Sequence, residues 1–152
     1  MSIGIDEIFE MLNCNNDMET QKKGMEKAQK IKNFSILVMP IDDKEIWENC
    51  AKIIAQKTDE ALTDGKELYL FEWLKDESWP GFNIIYNRIK SIPAKLIKTG
   101  YSIIVEEAVK LKDEKWLINL AKLAENKEMY ERLKRKEKHM IKRYIKMLEK
   151  RR

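Results

Sequence analysis

The sequence has few of the residues that build metal sites and disulfides. It contains only two cysteines, Cys14 and Cys50, without a Cys-x-x-Cys pair, and one histidine, His139, in a run of charged residues. Because zinc and haem sites of proteins need clustered Cys and His ligands, we expect no metal and no cofactor. Both thiols are expected to be free and to serve as small buried side chains in a reducing compartment.

The sequence also lacks long apolar runs. No stretch approaches the ~18 consecutive apolar residues of a membrane span. The first residues, MSIGIDEIFEMLN, carry acids where a signal peptide needs positive charge followed by an apolar run. We therefore expect no membrane insertion and a cytoplasmic location.

Residues that interrupt helices are scarce. The 152 residues include only 5 Gly and 3 Pro, while Lys, Glu, Leu, Ile, Met and Ala dominate. All of these except Ile are among the stronger helix formers, so the composition predicts an all-α protein. The length suits one domain with its own hydrophobic core.

Turn residues divide the first part of the chain. A short first helix is expected to end at the Asn-rich stretch 13–17, and Asp17 or Asn16 is placed to cap a second helix that reaches about Ile31. The apolar stretch 36–39 has no second strand to pair with, so we predict an extended or single-turn connector there.

Apolar residues at helical spacing predict the remaining elements. One helix is expected to begin at Asp42 or Asp43, and another at Thr58 with an interruption near Gly65. A final charged helix is expected from about Asn126 onward. The sequence thus predicts about eight helices.

Three tryptophans recur with acids in front of them. Trp47, Trp79 and Trp116 are spaced by 32 and 37 residues, which is in the range of helical hairpin repeats. This period predicts a HEAT/ARM-like α-α superhelix. Asp76 is predicted to cap a helix whose first turn holds Trp79 to Gly81, since acids favour the positive end of a helix.

Segments 40–62 and 70–90 resemble a bacterial domain family of unknown function, the DUF5071-like group. The residues that carry the resemblance are Trp47 to Ala51, Lys57 to Leu62, and Glu72 to Gly81. The resemblance covers about a third of the chain. It implies a small HEAT-type helical-repeat protein of the kind that acts as a cytoplasmic immunity protein against a toxin. It implies no catalytic residue.

The sequence gives only weak support for a catalytic site. Paired carboxylates need burial or mutual repulsion to separate their pKa values, and Glu72 with Asp76 comes nearest, ahead of the adjacent pairs 42/43 and 106/107. No nucleophile has a plausible histidine, and no phosphate-binding glycine motif is present. We therefore predict a protein without enzymatic activity and keep a Glu72–Asp76 hydrolase as a further alternative.

Protein binding is the leading functional prediction. Tryptophans are expected mainly in the core, and Trp79 or Trp73 is the one expected at the surface if any is exposed. With Glu72, Asp76 and Glu77 they would form an acidic aromatic rim for a basic protein partner, since aromatic anchors supply binding energy and charge steers encounter. The resemblance implies that this partner is a toxin.

The charge is divided between a body and a tail. Residues 127–152 contain 12 Lys/Arg and 4 Asp/Glu, giving +8, and residues 1–126 contain 18 and 22, giving −4. We predict a helical-repeat domain over 1–126 and a basic C-terminal helix over 127–152 that packs on it as a cap. An apolar stripe from Met129 to Leu148 favours this packing.

The tail also gives the alternative function. Lysine and arginine stripes bind polyanions through counterion release, so a nucleic-acid-binding helical repeat is the second prediction, beside an acidic protein or a membrane surface. The residues proposed for polyanion binding are Lys134, Arg135, Lys138, Lys142 and Arg143.

Overall fold

A computed structural model describes residues 5–31 and 44–151, and these residues form an all-helical protein without a strand. The α-helices are α1 Ile5–Met11, α2 Met18–Gln29, α3 Trp47–Ala55, α4 Asp59–Thr63, α5 Glu67–Glu72, α6 Phe82–Ser91, α7 Ala94–Leu111, α8 Glu114–Leu123, α9 Lys127–Glu131 and α10 Arg135–Lys150. Two 3₁₀ turns, Lys44–Ile46 and Trp73–Lys75, precede α3 and follow α5.

The described residues contain ten α-helices instead of about eight. The predicted interruption near Gly65 is a full break between α4 and α5, where Gly65 adopts φ 74°. The final helix is not continuous from Asn126, because residues 132–134 separate α9 from α10. Short one-turn helices explain the difference, since their few residues show no apolar period of their own.

Side-chain caps define several helix starts. Asp17 Oδ1 accepts a hydrogen bond from the backbone N–H of Thr20 at 2.7 Å, which confirms the predicted cap of α2. Thr58 caps α4 in the same way, and Asp113 caps α8. The predicted connector and the helix start at 42–43 lie outside the described residues.

The helices pack in two overlapping series. In the first, α1 packs on α2, α2 on α3 and α3 on α6; in the second, α5 packs on α7, α7 on α8 and α8 on α10. The 3₁₀ turn Trp73–Lys75 contacts both α6 and α8 and so joins the two series. Met129, Leu133 and Ile141 are buried in the same core cluster as the body, so the basic tail is packed on the helices that precede it.

Two short sequence motifs occur twice, which the sequence reasoning missed. Ile-Phe-Glu-Met-Leu at 8–12 returns as Leu-Phe-Glu-Trp-Leu at 70–74, and Asn-Cys-Ala-Lys-Ile at 49–53 returns as Asn-Leu-Ala-Lys-Leu at 119–123. Both copies of the second motif lie in helices, α3 and α8, whose Asn, Ala and apolar residues are buried.

In both copies, the asparagine of the second motif donates a hydrogen bond to the last carbonyl oxygen of the first motif. Asn49 Nδ2 donates to the carbonyl oxygen of Leu12 at 2.7 Å, and Asn119 Nδ2 donates to that of Leu74, also at 2.7 Å. Leu12 directly follows α1 and Leu74 lies in the 3₁₀ turn that follows α5, so each bond satisfies a carbonyl where intrahelical donors run out. We name the first pair with turn 13–17 the first junction, and the second pair with turn 75–81 the second junction.

Polar side chains surround the first junction. Asn16 Nδ2 donates to the carbonyl oxygen of Glu10 at 2.6 Å, and Gln21 Nε2 donates to that of Asn16 at 2.7 Å. The side chain of Asn49 also bonds Gln21 Oε1 at 3.0 Å. In this turn Cys14 is exposed, so its predicted burial was wrong, while Cys50 is buried in α3 and burial raises the pKa of its thiol to about 12.

Candidate functional site

The acidic stretch of the second junction forms a tight turn. Asp76 Oδ1 accepts hydrogen bonds from the backbone N–H of Ser78 at 2.9 Å and from the Ser78 hydroxyl at 2.7 Å. Helix α6 begins only at Phe82, so the predicted helix cap at Asp76 was wrong. An aspartate that bonds the backbone two residues on makes a turn in place of a cap.

Three indoles pack beneath this turn. The ring centroid of Trp47 lies 5.9 Å from that of Trp73 and 5.3 Å from that of Trp79, and both pairs pack edge to face. Gly81 closes the cluster at φ 86°, and a Cβ there would come within 2.7 Å of Ala51 and 2.9 Å of Trp73. This position therefore requires glycine both for its backbone conformation and for space.

Burial corrects the predicted aromatic rim. Trp73 is 0% exposed, so it cannot contact a partner at the surface. Trp79 is half-buried against the core, and Glu72 is half-buried as well. Asp76 and Glu77 remain accessible beside Trp79, but the five predicted residues do not form one exposed patch.

Lysines of α8 lie close to the acids of the turn. Lys115 Nζ lies 3.9 Å from Asp76 Oδ2, and Lys122 Nζ lies 3.7 Å from Glu77 Oε2. The hydrogen bonds from Ser78, followed by the charges of Lys115 and Lys44, hold the pKa of Asp76 below its usual range. The turn is thus a mixed-charge surface, not the purely acidic one expected from sequence.

A groove of about 310 Å³ runs between this turn and the end of α10. It is lined by Asp76, Glu77, Ser78, Lys115, Ile118, Asn119, Lys122, Leu148 and Arg151. Glu72 is not among the lining residues, so the groove does not unite the carboxylates of the hydrolase alternative. Within residues 5–31 and 44–151 no group of three or more Asp, Glu, His or Cys side chains is placed to hold a metal ion.

The outer face of α10 is basic along its whole length. The helix carries seven cationic side chains and two acids, of which Glu137 is buried and Glu149 is exposed. The seven are Arg135, Lys136, Lys138, Lys142, Arg143, Lys146 and Lys150. None of the seven lies within 4.0 Å of a carboxylate oxygen in the part of the chain that the structure describes. We call this surface the basic face.

The structure separates the five predicted polyanion-binding residues. Arg135, Lys142 and Arg143 are exposed on the basic face. Lys138 is half-buried, with its Nζ 5.8 Å from the ring centroid of Tyr130. Lys134 precedes the helix and bonds Glu106 Oε2 at 3.1 Å, which lowers the pKa of Glu106.

Sequence reasoning missed three cations of the basic face, Lys136, Lys146 and Lys150. Helical spacing was the available signal, because Lys142, Lys146 and Lys150 follow one another at steps of four residues on one side of a helix. Among the described residues, no helix is both long and apolar enough to cross a membrane.

Comparison with protein-family models, with curated proteins and with solved structures found no match to this chain. The resemblance to the DUF5071-like group therefore stays a prediction, and the functional argument rests on the geometry described above.

Proposed function

We propose that the protein is a non-enzymatic helical binding module that binds nucleic acid through the basic face of α10. The observation that carries this proposal is the row of seven cations on one helix without a carboxylate partner among the described residues. Lysine and arginine side chains arranged in this way neutralise phosphates and release the counterions condensed around them.

The energetics of α10 support an external anionic partner. Like charges spaced by four residues destabilise a helix by roughly 0.2–0.5 kcal/mol per pair, and three such pairs link Lys138, Lys142, Lys146 and Lys150. No carboxylate oxygen of the described residues lies within 4.0 Å of these four lysines, and Glu149 is the one exposed acid on the same helix. A row of phosphates against the basic face would turn the repulsion into attraction.

The proposal is tested by fluorescence anisotropy with labelled oligonucleotides, both a 24-base-pair DNA and a 24-nucleotide single strand. We expect affinity to fall about 10²- to 10³-fold between 50 and 200 mM salt, the dependence of about five phosphate contacts. The double variant Lys142→Glu/Lys146→Glu should lose binding. Absence of binding to both oligonucleotides at 50 mM salt would refute the proposal.

A matched control separates the basic face from net charge. Lys22→Glu/Lys52→Glu makes the same change in net charge at exposed positions of α2 and α3, helices that do not pack on α10. This variant should keep at least a third of the affinity of the unmodified protein. An equal loss in both variants would assign binding to overall charge and not to the basic face.

A protein partner is the second candidate, favoured by the mixed-charge groove beside Asp76 and Glu77. Its two long ion pairs leave all four charged groups near solvent, around the apolar side chains of Ile118 and Leu148. A polar rim around an apolar floor is the usual make-up of a protein interface. The resemblance adds immunity against a toxin as the form that such binding takes.

This candidate is tested by affinity capture after nuclease treatment. A stoichiometric protein that is captured by the unmodified chain and lost by Glu77→Arg would support it, and toxin activity of that protein would establish immunity. Capture that is unchanged in the variant would move the interface away from the groove.

We propose two further points of organisation. The duplicated motifs, joined by equivalent bonds of Asn49 and Asn119, support a HEAT-like repeat arrangement of the helices. The free thiols of Cys14 and Cys50 support a reducing cytoplasm as the working compartment.

A further inference from the structure

The outer face of α10 offers no aromatic ring for stacking on bases. The two tyrosines of the tail are half-buried: the ring of Tyr130 lies beneath Lys138, and Tyr144 packs against the core. Burial raises the pKa of Tyr144 above its usual range. Proteins that hold single strands combine a basic groove with exposed aromatic side chains, and the basic face has only the charge.

The cations of the basic face lie on a rigid scaffold. Helix α10 has 16 residues, which corresponds to about 24 Å. Its inner side is fixed to the body by Ile141, which is fully buried, and by Leu148, which packs on the core. The Cβ atoms of cations at steps of three or four residues therefore stand roughly 5–6 Å apart, so the flexible charged side chains are attached in a fixed row.

We propose that the basic face binds the phosphate backbone of a double-stranded nucleic acid, without reading the bases. This inference rests on the nucleic-acid function proposed above. A duplex presents two rigid rows of phosphates at high charge density, one charge per about 1.7 Å of axis, and so matches a rigid row of cations. A single strand must instead be ordered along the helix, and it gains no stacking there in return.

The residues at the basic face do not favour base recognition. It carries no Asn or Gln to pair with adenine, and only two of its seven cations, Arg135 and Arg143, have the planar fork that pairs best with guanine. Contacts made mainly by lysine fix position on the backbone without selecting sequence. Binding is therefore expected to be the same, within about threefold, for duplexes of different sequence.

The decisive experiment compares probes of equal length at 100 mM salt. The probes are a 24-base-pair DNA, a 24-base-pair RNA, single-stranded (dT)24 and poly-glutamate of equal charge. Counterion release is weaker for single strands, with slopes of about 0.7 instead of 0.9 per phosphate. Starting from equal affinity at 1 M salt, five contacts therefore predict about tenfold tighter binding to a duplex at 100 mM salt. The two duplex arms show whether DNA or RNA is preferred.

The length of α10 sets the expected site size. A contact of about 24 Å corresponds to roughly seven base pairs at 3.4 Å each. Titration of the 24-base-pair duplex should therefore reach two or three proteins per duplex, and Lys142→Glu/Lys146→Glu should reduce affinity at least tenfold.

The outcomes distinguish this inference from the proposed function. Equal or tighter binding to (dT)24 would overturn the duplex inference and leave nucleic-acid binding in place. Binding to poly-glutamate as tight as to the duplex would overturn it in favour of an acidic protein. No binding to any nucleic acid would overturn both.

Discussion

The two junctions share one hydrogen bond but differ in their surroundings. At the first junction, polar side chains surround the bond between Asn49 and the carbonyl of Leu12. At the second junction, indole rings pack around the turn that follows Leu74. The bond lengths are the same, 2.7 Å. Turn 13–17 is held by the side-chain amides of Asn16 and Gln21, which donate to backbone carbonyls near solvent. Turn 75–81 is held by Trp79 and Gly81, which pack against the core.

The comparison shows how one backbone contact works in two environments. Where water reaches the neighbouring groups, a lost hydrogen bond is partly replaced, and the net contribution of the bond is small. On the side of the second junction that faces Trp47 and Trp73, the surroundings are apolar and closely packed, so a lost bond or an added atom there acts at full strength. We therefore expect the second junction to be the more sensitive to substitution.

The largest effect is expected from Gly81→Ala. The new Cβ would meet Ala51 and Trp73 below 3.0 Å, and φ 86° is unfavourable for alanine, so we expect a loss of about 3 kcal/mol in the free energy of unfolding. Gly65→Ala is the matched control, since Gly65 also has positive φ but no described residue within 4 Å of its added Cβ, and about 1 kcal/mol is expected. Similar losses in urea unfolding would show that packing at Gly81 contributes nothing.

The asparagines compare the junctions directly. Asn119→Ala leaves the carbonyl of Leu74 without its donor in a buried site and should cost about 2–3 kcal/mol. Asn49→Ala should cost about 1–2 kcal/mol, because the half-buried amide of Gln21 lies beside it. The exposed Asn87→Ala serves as the control, with a change below about 0.5 kcal/mol in urea unfolding. A greater loss for Asn49→Ala would reverse the proposed order.

Two tryptophans test whether the second junction depends on indole hydrogen bonds or on packing. Trp116 Nε1 donates to the carbonyl of Phe71 at 2.9 Å, so Trp116→Phe should cost about 2 kcal/mol. Trp73 Nε1 is buried and has no hydrogen-bond partner among the described residues, so Trp73→Phe removes an unsatisfied donor and should cost about 1 kcal/mol less than Trp116→Phe. Equal thermal destabilisation of both variants would mean that lost ring volume decides the result.

The smallest expected effect is on the loss of stability at low pH. Hydrogen bonds from Thr20 lower the pKa of Asp17 beside the first junction, as those from Ser78 lower the pKa of Asp76 at the second. A lowered pKa stabilises the folded state above the ordinary value of 3.8, and this contribution is lost as pH falls below it. Asp17→Asn and Asp76→Asn keep an acceptor without the titration.

Each of these variants should therefore show a shallower loss of stability below pH 3.8 in unfolding titrations. At pH 7 each should be no more stable than the unmodified protein. An unchanged slope in both variants would contradict the assigned role of the two aspartates.

Local patterns predicted much of the fold. Apolar spacing and the cap at Asp17 located helices because both depend on residues only three or four positions apart. The Asp76 turn was misassigned because aspartate caps a helix and closes a turn with the same oxygen, and the choice depends on Trp79 and Gly81 packing against a helix 30 residues earlier.

Long-range contacts explain what the sequence could not predict at the candidate sites. The burial of Trp73 depends on Trp47 and Gly81, and the ion pair of Lys134 depends on Glu106, 28 residues away. The sequence shows the charges of α10, but only the tertiary structure shows whether a carboxylate of another helix lies beside them. The repeated motifs were visible too, although their unequal separations of 62 and 70 residues hid them from a search for one period.

Helix α10 has one side buried in the protein and the other side open to solvent. Removing it would expose the apolar side chains of α8 that it packs on, such as Ile118 beside Leu148, so a shortened chain would report on misfolding and not on binding. Substitutions on its outer side, by contrast, leave Ile141 and Leu148 in place. Substitutions on the inner side are therefore expected to change stability, and substitutions on the outer side to change partner binding.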